Sequence, residues 1–279
     1  MSSHTLAASL VTAALPALEA RFAAARDIIT EAGRLARVRF GEIETLSVDV
    51  KFNGQDVATS ADREVEALIR ARVAAAFPED GFLGEEDGLA AGDAPYVWVV
   101  DPIDGTSCFL HGVTTWCVSV ALCSGGTTLF GLIYDPNADE LFAALAGRGV
   151  TLNGRAISVD SRYDISTGLV GVGGNHKVPG AAIGGFITTL LDAGGMFMRN
   201  GSGALTLAHV SCGRLIAYQE QSINLWDCAA GLCLIREAGG WTSAFPEDPA
   251  TTHRAPLLAG APHVREPLEA LLAASAPSS

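Results

Sequence analysis

The run Val97-Trp98-Val99-Val100 ends in Asp101-Pro102-Ile103-Asp104-Gly105-Thr106. Four uncharged, largely β-branched residues in a row read as a buried strand. Two carboxylates then flank a proline, and Gly105-Thr106 follows as a turn. A buried strand that stops this way delivers acidic side chains to the rim of a core. The amides of Gly105 and Thr106 then face whatever the acids hold. The stretch therefore predicts a site for metal ions and a phosphate.

The rest of the chain divides into two patterns. Residues 6 to 39 read as helix with a break at Pro16, since Leu18, Phe22, Ala25, Ile28 and Ile29 recur at helical spacing. Val48–Phe52 reads as a strand closed by Asn53-Gly54, and Thr59 or Ser60 caps a helix over about Arg63–Phe77. Trp116–Leu122 and Thr127–Tyr134 form a hairpin, continued by Leu141–Leu145, Gly149–Leu152 and, after Asn153-Gly154, Ala156–Val159. Beyond residue 160, the strands Gly168–Val172, Met196–Arg199, Leu215–Gln219 and Pro256–Ala259 alternate with helices. These helices are Gly180–Ala193, Gly203–Cys212, Trp226–Ala238 and His263–Ala273. The class is α+β. Residues 1–160 combine N-terminal helices with an antiparallel sheet that carries most acidic positions, and residues 161–279 form a half with a mixed sheet carrying Asp227.

Composition excludes several functions. A net charge of −13 argues against nucleic acid as a partner. No apolar run reaches the roughly 18–20 residues of a membrane span. Leu6–Ala20 has no Lys or Arg ahead of Arg21, so it reads as an amphipathic helix and not a secretion signal. The six cysteines form no C-x-x-C pair, which predicts free thiols and a reducing, cytoplasmic compartment.

Asp56, Asp62, Glu85, Glu86, Asp101, Asp104, Glu220 and Asp227 all fall at strand or loop ends. Two carboxylates about 4 Å apart repel by roughly 4 kcal/mol at an effective dielectric near 20. Four together require cations or protonation. Oxygen-only ligands point to Mg²⁺, Mn²⁺ or Ca²⁺, and the cysteines and histidines lack zinc spacing. Such cations would also let so acidic a protein attract a phosphate.

These blocks resemble the inositol monophosphatase family of Mg²⁺-dependent, lithium-sensitive phosphatases. The resemblance rests on Asp56-x-x-Thr59-x-x-Asp62, Gly84-Glu85-Glu86, Trp98 to Thr106, Trp226-Asp227-x-Ala229-Ala230-Gly231 and Glu237-Ala238-Gly239-Gly240, in that order. It implies a layered αβαβα sandwich, as in the inositol monophosphatase/fructose-1,6-bisphosphatase fold, and a homodimer. It also implies two to three Mg²⁺ per site, with Mn²⁺ as a substitute. Metal ligation falls to Glu85, Asp101, the Ile103 carbonyl, Asp104 and Asp227, with Asp62 holding the waters of a looser ion. Glu85 and Thr106 would activate the attacking water, with Asp62 beside them in the catalytic set, and Gly105 and Thr106 would bind phosphate. Asp104, Gly203, Glu220 and Asn224 would contact the alcohol, and Lys51 would act electrostatically.

The implied reaction is hydrolysis of a small phosphorylated alcohol, inositol 1-phosphate first, with histidinol phosphate as the alternative through an ammonium paired to Glu220. Three positions depart from the family pattern near the alcohol: Cys108 for Asn, Asn224 for the His of animal enzymes, and Ser202-Gly203 for Thr-Ala. An aspartyl-nucleophile phosphatase is a different chemistry, but its Asp-x-Asp spacing is absent at Asp101 and Asp104. A non-catalytic binding protein would not need the full acidic set. The Gly-rich Gly171–Asn175 matches neither a P-loop nor a dinucleotide fingerprint. His111 reads as structural, and His176 as a mouth or loop residue.

Overall fold

The computed structural model describes residues 3–50, 57–251 and 254–275, so Lys51 and Asp56 lie outside the described residues. Helix α1 (Ser3–Phe40) runs unbroken through Pro16. Proline removes one intrahelical bond, and on the exposed side of a helix water meets the freed carbonyl. The ribbon β1 (Val48–Val50) and β2 (Val57–Thr59) leads into α2 (Ser60–Ala76). That helix starts three residues earlier than its charge pattern predicts, because Thr59 and Asp62 cap it reciprocally.

The first sheet has eight strands: β3 (Gly81–Gly84), β4 (Gly88–Ala90), β5 (Val97–Asp104), β6 (Cys117–Ser124), β7 (Thr127–Asp135), β8 (Glu140–Leu145), β9 (Val150–Leu152) and β10 (Arg155–Ala156). Their order is β10-β9-β8-β7-β6-β5-β3-β4. All neighbours are antiparallel except β3 and β5, which run parallel with Gly84 opposite Val100. Sequence reading misses β3 and β4, whose short Gly-flanked runs carry no alternation. It also extends the last strand too far. At Val159 the chain has turned away, and its amide donates to the Ala238 carbonyl.

After the short α3 (Thr106–Leu110), the second sheet forms from β11 (Leu169–Val172), β12 (Met196–Met198), β13 (Ala217–Asn224), β14 (Trp241–Thr242) and β15 (Arg254–Gly260). Its order, β12-β11-β13-β15-β14, mixes parallel and antiparallel pairs. The helices α4 (Gly180–Asp192), α5 (Gly203–Ser211), α6 (Leu225–Glu237) and α7 (Arg265–Ala274) complete the chain.

Three cores stack these elements into five layers. On one face of the first sheet, Trp98, Val100, Val120 and Phe130 pack with Leu18 and Ile29 of α1 and Ile69 of α2. On its other face, Val99, Ala121 and Ile133 meet Leu207 of α5 and Leu234 of α6. The alternation of Trp98 and Val100 against Val99 follows the period of a strand. Beyond the second sheet, Val170 and Leu258 pack with Phe186 of α4 and Leu268 of α7. The αβαβα sandwich is the architecture of the chain, and it traps α5 and α6 between two sheets.

Candidate active site

Parallel pairing of β3 with β5 sends both carboxyl ends to one rim, so Glu85 comes to lie beside Asp101. The Glu85 amide extends the pairing to the Val100 carbonyl at 3.2 Å. Asp101 and Asp104 are three residues apart, and in a regular strand they would point to opposite faces. A bulge prevents this: Asp101 pairs with Ser119 and Asp104 with Cys117, three steps against two. Pro102, without an N–H, sits in that bulge at no cost to the ladder. The Ile103 amide donates to Asp101 Oδ1 at 3.0 Å and fixes its side chain.

Asp227 arrives from the opposite sheet, in the first turn of α6. The Asn224 backbone and side-chain amides donate to its Oδ2 at 3.1 and 3.0 Å. Ligand oxygens of Glu85, Asp101 and Asp227 all lie within 4.8 Å of one another. Asp104 is 8% exposed, and its Oδ2 accepts from Ser202 Oγ at 2.5 Å and the Ala204 amide at 2.6 Å, which ties the rim to the start of α5.

Burial drives the electrostatics. The Asp101 carboxyl is pushed well above the usual carboxylate range, first by burial and then by Glu85, Asp104 and Asp227. Burial, then Asp104 and Glu85, do the same to Asp227. Asp104 is raised to about 7 by burial, against the pull of its Ser202 and Ala204 hydrogen bonds. Among the described residues no Lys, Arg or His forms an ion pair with Asp101 or Asp227. Such an all-oxygen set, buried and without a cationic side chain to neutralise Asp101 and Asp227, fits a hard divalent cation.

A cavity of about 920 Å³ opens onto this cluster. Glu85, Asp101, Ile103, Asp104, Gly105, Thr106, Gly203, Glu220, Asn224 and Asp227 all line it. Asp62 does not. It is fully buried beneath the rim, accepting from the Thr59 amide at 2.8 Å and from the hydroxyl of Thr106 at 3.1 Å. Burial raises its carboxyl to about 6. Gly105 adopts φ +99°, and a Cβ there would stand 2.9 Å from the Thr115 carbonyl. Glycine is thus required at the turn. A second bulge lies between Glu220 and Ile223 on β13, the strand from which Glu220 and Asn224 line the cavity. Glu220 accepts from the Tyr218 hydroxyl and from Asn175 Nδ2.

Cys108 lines the cavity with its thiol toward the Asn200 carbonyl at 3.4 Å. His176 also lines it, whereas His111 contacts the Ser107 carbonyl at the end of α3. Sequence reading missed Glu66. This carboxylate, 1% exposed, accepts from the amides of Glu86 at 2.9 Å and Asp87 at 3.2 Å, and from Arg70 at 2.8 Å. It anchors the loop that presents Glu85. Its one sequence signal is its place four residues after Asp62, on the same helix face.

An αβαβα sandwich with an oxygen-only acidic cluster at a bulged strand end defines a phosphoric monoester hydrolase scaffold. The chain belongs to the inositol monophosphatase family, whose family model matches residues 17–278. An inositol-1-monophosphatase of Rhizobium meliloti is 35% identical over 254 residues, covering 90% of this chain and 95% of its own. A protein of Xylella fastidiosa named Nus factor SuhB is 38% identical over 232 residues, 82% of either chain. The crystal structure of the extragenic suppressor protein suhB of Bartonella henselae superposes with a TM-score of 0.84 at 33% identity, over 91% of this chain and 98% of that one.

Proposed function

We propose that the chain is a Mg²⁺-dependent phosphomonoesterase that hydrolyses a small phosphorylated alcohol, with inositol 1-phosphate as the reference substrate. One observation carries this reading. Carboxylates from the residue that follows β3, from β5 and from α6 converge within 4.8 Å at the head of a cavity that Thr106 also lines. Glu85, Asp101, the Ile103 carbonyl, Asp104 and Asp227 would hold the metal, and Mn²⁺ could replace Mg²⁺. Bound there, divalent cations supply an acidified water and charge neutralisation at the leaving oxygen.

The chain's own residues do the rest. Thr106, with its hydroxyl proton turned to Asp62 or to the Ile103 carbonyl, has lone pairs left to accept from the attacking water. Glu85 takes that water's proton. The amides of Gly105 and Thr106 receive the phosphate oxygens, while Asp104, Gly203, Glu220 and Asn224 orient the alcohol. Asp62 acts from below, holding Thr106.

The six cysteines are all free, which suits a reducing compartment such as the cytoplasm. The net charge of −13 favours a small-molecule substrate over nucleic acid. The edge strand β12 exposes Met196, Phe197 and Met198, and we assign it to a homodimer contact. Sedimentation of Phe197→Lys tests that contact: the variant should sediment as a monomer. Release of inorganic phosphate from inositol 1-phosphate, with and without Mg²⁺ and in rising lithium, tests the activity.

A further inference from the structure

The cavity is not acidic throughout. Away from the carboxylate cluster its lining includes Lys177, Arg199 and Arg254, in a chain with only 18 Lys and Arg against 31 Asp and Glu. The one carboxylate on that side, Glu220, already accepts from Tyr218 and Asn175. Elsewhere the arginines are commonly paired, as in Arg21–Asp80, Arg214–Glu140 and Arg236–Glu247. Among the described residues neither Arg199 nor Arg254 has a carboxylate at ion-pair distance, and the charge of Glu220 acts on both. Arg199 donates to the Gly174 carbonyl at 3.1 Å. Arg254 donates through Nε and Nη2 to one neutral oxygen, Asn224 Oδ1, at 3.2 and 2.7 Å, and its buried Nη1 finds no acceptor.

The two guanidiniums thus share one carboxylate, Glu220, and Lys177 adds a further positive charge to the lining. The hydroxyls of a polyol would leave that excess charge unanswered, and an ammonium would add to it. An oxyanion neutralises it and accepts from the guanidiniums.

We propose that Arg199 and Arg254 form a second anion subsite, so that the preferred substrate carries a phosphate or carboxylate besides the phosphate ester that is cleaved. This rests on the phosphomonoesterase reading above and narrows it to doubly anionic polyol phosphates. Arg254 has a fixed place in the subsite, because β13 and β15 pair Asn224 directly with Arg254. Asn224, whose amide nitrogen holds Asp227, thereby joins the cleaving end of the cavity to the recognising end. Arg199, at the exposed mouth, closes on the anion from the other side. The same charges disfavour a substrate with an amine, such as histidinol phosphate.

Matched pairs of compounds that differ only in the second anion give the test. Dissociation constants are measured by calorimetry with saturating Mg²⁺ on Glu85→Gln protein, which stops turnover; because Glu85 is also a proposed metal ligand, only ratios within each pair, which share the same metal site, are compared. Inositol 1,4-bisphosphate should bind at least about tenfold tighter than inositol 1-phosphate, the effect of one added charge-assisted contact. 6-Phosphogluconate against sorbitol 6-phosphate tells a carboxylate from a phosphate as the second group. Adding Arg199→Gln or Arg254→Gln should shrink the favoured ratio about tenfold. Equal affinities within both pairs, or ratios that survive both substitutions, overturn the subsite. Phosphate release by the unsubstituted enzyme is read in parallel. Its absence for every compound contradicts the phosphomonoesterase reading, while the affinity ratios still decide the subsite.

Discussion

The hydroxyl of Thr106 lies 3.1 Å from Asp62 Oδ1, joining the rim of the cavity to a carboxylate buried beneath it, 44 residues earlier in the chain. Asp62 Oδ2 is already taken by the amide and hydroxyl of Thr59, at 2.8 and 2.5 Å, in the cap of α2. The hydroxyl proton of Thr106 has two acceptors within the protein, Asp62 Oδ1 and the Ile103 carbonyl, each at 3.1 Å, and either choice leaves a lone pair for the cavity. A helix cap thus doubles as the support of the residue proposed to orient the attacking water. Thr106→Ala should lower kcat by at least about 10²-fold, the lower range for a group that steers proton transfer. Thr106→Ser should keep most of the activity. Steady-state kinetics on the two variants separates the hydroxyl from the methyl.

The acidic cluster makes the stability of the metal-free protein depend on pH in an uncommon direction. Asp104 is raised to about 7, and Asp101 and Asp227 well above the usual range. The folded state therefore holds more protons than the unfolded chain, and stability is lost as pH rises through these values. His209, lowered from 6.5 to about 4 by burial, works the opposite way but only below 6.5. Between about pH 6.5 and 8 the Tm of metal-free protein should fall, and added Mg²⁺ should raise it more at pH 8 than at 6.5. Thermal unfolding in chelator and in Mg²⁺ reads both. A metal-free Tm that rises across that window contradicts the clustering of ionisable carboxylates.

Glu66 holds the Glu85 loop through two amides and Arg70. The fit needs Gly84, where a Cβ would stand 2.3 Å from the Glu66 carboxyl. Glu66→Gln puts an NH₂ against an amide donor and should cost about 2–3 kcal/mol in stability, the scale of an unpaired buried donor beside a charged group. It should also lower kcat about tenfold by loosening the base, an effect of roughly 1.4 kcal/mol on the barrier. Denaturant unfolding and hydrogen exchange over residues 85–88 give the two halves of the result: lower stability, and faster exchange in that loop.

Gly105→Ala places a side chain in the left-handed region and against the Thr115 carbonyl. A destabilisation of about 1–3 kcal/mol is expected, with phosphate affinity falling alongside because the turn must open. Inhibition by inorganic phosphate measures the second effect directly.

Much of this site is legible in the sequence because its chemistry is carried by local patterns. The apolar run ending at Asp101 marks a rim, and Trp226-Asp227 before an apolar stretch marks a helix start. What escapes the sequence depends on pairing across the fold. Two residues separate Asp101 from Asp104, which puts them on opposite faces of a regular strand, and only the bulge on β5 turns both to one side. The parallel partner β3 is four residues long and bears no alternation, so its delivery of Glu85 is invisible beforehand. Glu66 looks like one more charge on a helix until the 85–88 loop closes on it. Arg254 meets Asn224 only through the register of β13 and β15.

On the proposed function, carboxylates from three elements form one metal-dependent phosphate-cleaving centre. Release of inorganic phosphate from inositol 1-phosphate, followed as Mg²⁺ is titrated into chelator-treated protein and into its Asp227→Asn variant, tests it most directly. No release is expected without Mg²⁺, saturable release with it, and a loss of at least about 10²-fold in the variant. Equal rates with and without Mg²⁺, or an Asp227→Asn protein as active as the unsubstituted one, would contradict it.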